Sequence, residues 1–413
     1  MPRPVELTLA LLRRISSHWA RERTTLRQGF TAIAICIGVT LAAGLILAGM
    51  ENLLERLPGL LVLVPAAIGM RGAIFGALGA RLGTGILVGQ YTPGFEPGTF
   101  TRSNVEAAGL LTVATALLSA LVAFVAATLL GSETIPLTQL VIVSTVSAAL
   151  SSVLVLFATL GLARTAQTRS WDMDAIGAPI ISATADLTSL PALVVGALII
   201  GFGWLDPVLA GLLVLGALAA AVFGLRHPER LARRIFSESL PVLSYTAVAD
   251  VLAGLVLETR LETLVTSPAL LVVVPPFIAV SGALGGILSA RLASQLHLGL
   301  LEPTRLPRAP AMMEGSITVL FALAGFFTLG VLAWLLAAIT GIPSPGLVRM
   351  LVTTLVGGLL ATGAVFGVGY YAATASYRFG LDPDNSSIPI VTASMDFLGI
   401  VCLIVGIAVA GAN

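Results

Sequence analysis

Lysine is absent from this chain: all 22 basic residues are arginine, set against 21 acids for a net charge of +1. The missing lysine is a compositional bias from which no mechanism follows, but the even balance argues against a nucleic-acid-binding surface. Charge of either sign is scarce. Only 10% of the 413 residues are charged, where a soluble protein has about 25%. Cysteine is limited to Cys36 and Cys402, both in apolar runs, so no disulfide framework or thiolate metal site is suggested. Three histidines (His18, His227, His297) are too scattered for a zinc centre. No G-x-x-x-x-G-K-[ST], H-E-x-x-H or G-x-S-x-G stands in a suitable context, which speaks against an ATPase, a hydrolase or any enzyme, and no organic cofactor is called for.

Apolar sequence fills the space that charge leaves. Hydrophobic residues make up 57% of the chain, and mean hydropathy is +1.01. Runs of about 20 apolar residues recur, each long enough to cross a hydrocarbon core of roughly 30 Å. Without the alternation of a β-barrel, these spans are helices, so the fold class is an all-α polytopic membrane protein whose partner is the lipid bilayer. Eleven spans are predicted, near 29–50, 60–88, 106–131, 138–163, 179–204, 208–225, 240–257, 268–296, 314–340, 347–374 and 388–411. Arginine asymmetry orients them in a cell membrane with the N-terminus cytoplasmic and the C-terminus outside. Arg102, Arg164, Arg169, Arg226, Arg230, Arg233, Arg234, Arg305, Arg308 and Arg378 then lie inside, and little more than Arg56 and Arg260 outside. Residues 1–28, with six arginines before the first span, read as a retained cytoplasmic arm and not as a cleaved signal.

The chain repeats itself. PAAIGMRGAIFGALGARL (65–82) and PPFIAVSGALGGILSARL (275–292) agree at nine of 18 positions, at an offset of 210 (275 minus 65). The same offset aligns DMDAIGAPIISATADL (172–187) with DPDNSSIPIVTASMDF (382–397), and AGLIL (43–47) with AGLVL (253–257). Low-complexity helices give spurious matches, but not ones that keep Asp, Pro and Arg in register. The expected organisation is an arm (1–28), a five-helix repeat (29–204), a linker helix with a cytoplasmic loop (205–238) and a second five-helix repeat (239–413). A sixth span restores the orientation, so the repeats are parallel and related by a pseudo-twofold along the membrane normal.

Ionisable residues at membrane depth are the functional candidates. Asp186 and Asp396 are equivalent, each about two turns into the last helix of its repeat. They are either carboxylates hydrogen-bonded to a neighbouring helix or, brought together by the twofold, ligands of a hard cation that relieves their repulsion. Asp172, Asp174, Asp382 and Asp384 precede Pro179 and Pro389, as helix-start acids or as a cation-gathering vestibule. Pro65, Gly72 and Gly76 match Pro275, Gly282 and Gly286, a pattern for close helix packing or for pore lining. Two acids break the symmetry: Asp250, where the first repeat has Thr40, and Glu314, where it has Asn104. Each is a possible coupling-ion site. Asp250 could equally be satisfied by the hydroxyls of Ser244 and Thr246, and Glu314 lies by the interface. Arg81 and Arg291 end their helices and are expected to snorkel to the inner interface.

These blocks resemble the MgtE family of magnesium channels and the related solute-carrier magnesium transporters. The second span of each repeat is similar to that family's P-x-x-x-G-x-x-G segment, and Asp172 to Asp186 and Asp382 to Asp396 match its D-x₁₃-D element. The chain looks like the tandem-fused form, which implies a pseudo-dimeric single chain that does not require homodimerisation. The resemblance implies that Asp186 and Asp396 hold a hydrated divalent cation, Mg²⁺ first and Mn²⁺ or another divalent ion as alternatives, as the transported ion. Two departures stand out. Ala73 and Ala283 replace the family's usual Asn, and 28 residues are too few for the cytoplasmic regulatory domains of MgtE. Two other functions stay open: a proton- or Na⁺-coupled exchanger using Asp250, and a membrane scaffold or sensor without transport.

Overall fold

The structure, a computed structural model, describes residues 19–20, 23–169, 173–380 and 387–411. It is helical throughout, with no strand among the described residues. The first repeat comprises α1 (Arg23–Gly49), α2 (Glu51–Arg56), α3 (Leu60–Leu87), α4 (Phe100–Leu130), α5 (Leu137–Arg169) and α6 (Met173–Leu198). The linker α7 (Leu205–Leu225) leads to α8 (Arg230–Glu258), α9 (Leu261–Thr266), α10 (Pro268–His297), α11 (Ala309–Thr340), α12 (Leu347–Phe379) and α13 (Ser387–Ala410). Eleven of these helices are long and apolar enough to cross a membrane. The two short helices, α2 and α9, are related by the same 210-residue offset.

The repeats interlock. α1 packs on α10 of the other repeat, and α8 packs on α3 in the reciprocal way. Glycine makes both approaches possible: a Cβ on Gly44 would overlap the Val272 carbonyl, and one on Gly254 would overlap the Val62 carbonyl. Gly196 against the Val143 backbone and Gly406 against the Thr353 backbone repeat the device between the fourth and fifth spans of each repeat. Close backbone contact at small residues is how helices gain dispersion energy in lipid, where no hydrophobic driving force separates them from solvent. α3 and α10 are the innermost helices, each 78% buried over its apolar window. The linker α7 is only 17% buried and lies against the outer faces of α4 and α5.

Helix boundaries depart from the sequence reading where polar residues sit on an otherwise continuous helix. α8 begins at Arg230, ten residues before the expected start, and runs through Pro241. Its first turns (RLARRIFSES) are amphipathic, with Ile235 and Phe236 buried and Arg233, Arg234 and Glu238 outside. α4 begins at Phe100 because Thr99 caps it, accepting from the Arg102 amide. α6 stops at Leu198 and not at 204, since Gly201 and Gly203 take positive φ and break the helix. Asp206 then ties that turn to α7, accepting from the Gly201 and Phe202 amides at 2.9 and 3.2 Å and from Gln139 Nε2 at 3.1 Å.

Candidate functional site

Three buried carboxylates and one buried guanidinium meet at the centre of the interlocked core. Asp186 comes from α6, Asp396 from α13, Asp250 from α8 and Arg71 from α3, with exposures of 2%, 8%, 0% and 1%. Asp250 and Asp396 lie within hydrogen-bond reach of each other, and Asp186 is near enough to Asp396 to repel it. Gly69 on α3 lets the backbone close over that pair: a Cβ there would stand 2.6 Å from an Asp250 oxygen and 2.7 Å from an Asp396 oxygen. Both Asp250 oxygens lack a donor. The hydroxyls of Ser244 and Thr246, read above as possible donors, bond instead to Leu240 O and Val242 O of their own helix, at 2.8 and 3.2 Å. A β-hydroxyl in a helix reaches the carbonyl one turn back more readily than a side chain a turn or more ahead.

Arg71 was not singled out by the sequence reading. It sits mid-helix in α3, where the second repeat has Ser281. Its Nε donates to Ala67 O at 3.2 Å, its Nη1 is buried without a partner, and it attracts Asp250 electrostatically. The signal lay in the repeat itself, as a basic counterpart to the asymmetry already visible at Asp250.

Other candidates fall elsewhere. Glu314, on α11, accepts from Arg291 Nε at 2.5 Å and from Gln295 Nε2 at 2.6 Å, away from the central acids. Arg81 donates to Asn104 Oδ1 at 2.7 Å in the equivalent place. Arg81 and Arg291 therefore tie the second span of each repeat to the third. Gly72 and Gly282 face Ser182 and Thr392 at ordinary contact distance, and nothing stands within 4 Å of a Cβ placed on Gly76 or Gly286. Pro65 and Pro275 are buried within continuous helices. Asp172, Asp382 and Asp384 lie outside the described residues, as does the Asp174 side chain.

From Gly69, the face of α3 continues at four-residue steps through Ala73 and Ala77 to Arg81. A small cavity runs along that face, lined also by Ser239, Val242 and Pro389. It lies along the C-terminal half of α3. Among the described residues, no group of three His, Cys, Asp or Glu side chains is placed to hold a metal ion.

Fold and site together define a polytopic helical membrane protein with a tandem repeat and a buried, acid-rich centre between its halves. A model of the MgtE family, described as a divalent cation transporter, matches residues 64–196 and again residues 274–406. The two matches begin 210 residues apart (274 minus 64) and cover more than half the chain, which belongs to that family of transporters. No solved structure matches the chain.

Proposed function

We propose that this protein carries Mg²⁺ across the cell membrane, along the axis between its repeats, with a central site between Asp186 and Asp396. The observation that supports this reading is that two buried carboxylates from equivalent positions are near enough to repel, inside a family that transports divalent cations. Like charges held together out of water are relieved by a proton or by a cation between them, and the family's cargo favours the cation. Mg²⁺ dehydrates reluctantly, and carboxylates that do not cage the ion can hold its hydration shell. Asp172, Asp174, Asp382 and Asp384 gather cations at the cytoplasmic mouth. The N-terminus is cytoplasmic, and one chain forms the whole path.

Asp186→Asn or Asp396→Asn should abolish Mg²⁺ flux into proteoliposomes without loss of fold. Thermal unfolding titrated with Mg²⁺, Mn²⁺, Ca²⁺ and Na⁺ should show a Mg²⁺-dependent rise near RT ln(1 + [L]/Kd) that the double variant lacks. Undiminished transport in both single variants would refute the site.

A further inference from the structure

The central site is charged unequally by the two repeats. α3 meets α8 as α10 meets α1, so Arg71 and Asp250 occupy the places that Ser281 and Thr40 occupy in the other half. The neutral pair satisfies itself: Thr40 Oγ1 donates to Cys36 O at 2.7 Å and Ser281 Oγ to Phe277 O at 2.8 Å. The charged pair does not. Arg71 Nη1 is buried without a partner, and neither oxygen of the buried Asp250, beside Asp396, has a donor. Burying an unneutralised charge is far more costly than burying a hydroxyl, so each charge needs the other.

We propose that Arg71 is a specificity residue, a tethered monovalent cation that offsets Asp250 and leaves the site the charge of two carboxylates, matched to one divalent ion. The proposal rests on the Asp186–Asp396 reading. With the ion bound, three carboxylates and one guanidinium total two negative charges. Removing Arg71 leaves three, and removing Asp250 leaves one. Coulomb attraction for a divalent ion changes in opposite directions in the two cases, in a poorly screened interior.

The test is a double-mutant cycle on the full-length protein, with MgCl₂ as probe and NaCl and LaCl₃ as valence controls. Asp250→Thr should weaken Mg²⁺ binding at least tenfold. Arg71→Ser should tighten Mg²⁺ binding, admit La³⁺ and slow Mg²⁺ release. The double variant Arg71→Ser/Asp250→Thr installs the residues of the other repeat and should return Mg²⁺ affinity to within about threefold of wild type, because the two opposite effects cancel. Arg71→Lys keeps the charge and should keep the affinity, whereas Arg71→Gln should behave as Arg71→Ser, so the proposal stays testable should either cycle variant fail to fold. An Arg71→Ser variant that binds Mg²⁺ no more tightly than wild type, or a double variant as weak as Asp250→Thr alone, would overturn the proposal. If Asp186→Asn/Asp396→Asn loses Mg²⁺ binding while the Arg71 and Asp250 variants bind as wild type, only the charge-balance proposal falls. If the Asp186/Asp396 variant binds as wild type, the site itself is wrong.

Discussion

At the scale of single residues, the centre depends on what is missing as well as on what is charged. Gly69 has no side chain, and for that reason the Asp250 and Asp396 carboxylates can press against the α3 backbone. Gly69→Ala would drive a methyl group into both. The neighbours are carboxylates in a packed core with nowhere to retreat, so a cost of about 1–3 kcal/mol is expected from overpacking. Mg²⁺ affinity should fall along with stability, read by unfolding with and without the ion. A normal Mg²⁺-dependent shift in a destabilised variant would separate packing from binding and show that the carboxylate positions do not matter to the ion. Asp186 and Asp396 were legible in the sequence because the same offset presents them twice, each in an apolar helix. Asp250 was legible through its asymmetry. Arg71 was not, since one arginine in a hydrophobic span reads as an interface anchor until its burial is known, and the match of 65–82 with 275–292 drew attention to identities, not to Arg against Ser. Gly69 escaped for a related reason: its mate is Ala279, so the repeat gives it no emphasis.

Elements show the same division between what periodicity reveals and what long-range contact decides. The apolar cores of all eleven spans could be read from hydropathy, whereas the polar first turns of α8 could not, because nothing local distinguishes an amphipathic turn from a loop. A contact network explains why that segment is ordered. Glu229, just before α8, accepts from Ser103 Oγ and from the Gly98 amide, the latter at 2.7 Å, and so joins the linker junction to α4 and the loop preceding it. His227 continues the network, accepting from the Glu229 amide at 3.2 Å and facing Glu106 at 3.3 Å. The Ser103 hydrogen bond, with the Gly98 amide and nearby His227 and Arg102, holds the Glu229 carboxyl below its ordinary range. A depressed carboxyl pKa means the folded state favours the ionised form. Its contribution is therefore full above the ordinary value of 4.5 and fades as pH falls through the lower folded value. Glu229→Gln should lower the unfolding temperature at neutral pH and narrow its gap to wild type in the acid range. A gap that stays constant from pH 7 to pH 3 would show that Glu229 is not tied down in this way.

For the whole molecule, the reciprocal contacts at Gly44 and Gly254 determine what kind of unit the chain is. Had each repeat packed only on itself, the two would be domains joined by α7, free to unfold separately. Instead the first span of each is seated on the second span of the other, and the acid cluster draws residues from both: Arg71 and Asp186 from one, Asp250 and Asp396 from the other. The duplication itself was plain in the sequence, but the exchange of first spans was not, since nothing in a repeated helix says which copy it will pack against. Gly44→Ala and Gly254→Ala each place a methyl group on a backbone carbonyl that only a shift of the whole helix can relieve. Each should cost about 1–3 kcal/mol. The interlock predicts that either variant lowers a single cooperative unfolding transition, followed by tryptophan fluorescence in detergent, and that Mg²⁺ raises that same transition in both. Two separable transitions, with only one of them moved by Gly254→Ala, would mean that the repeats are stable apart and that the central site is assembled by their docking. In the interlocked case the acid cluster exists only in the complete fold, so an ion bound there would stabilise all eleven spans together.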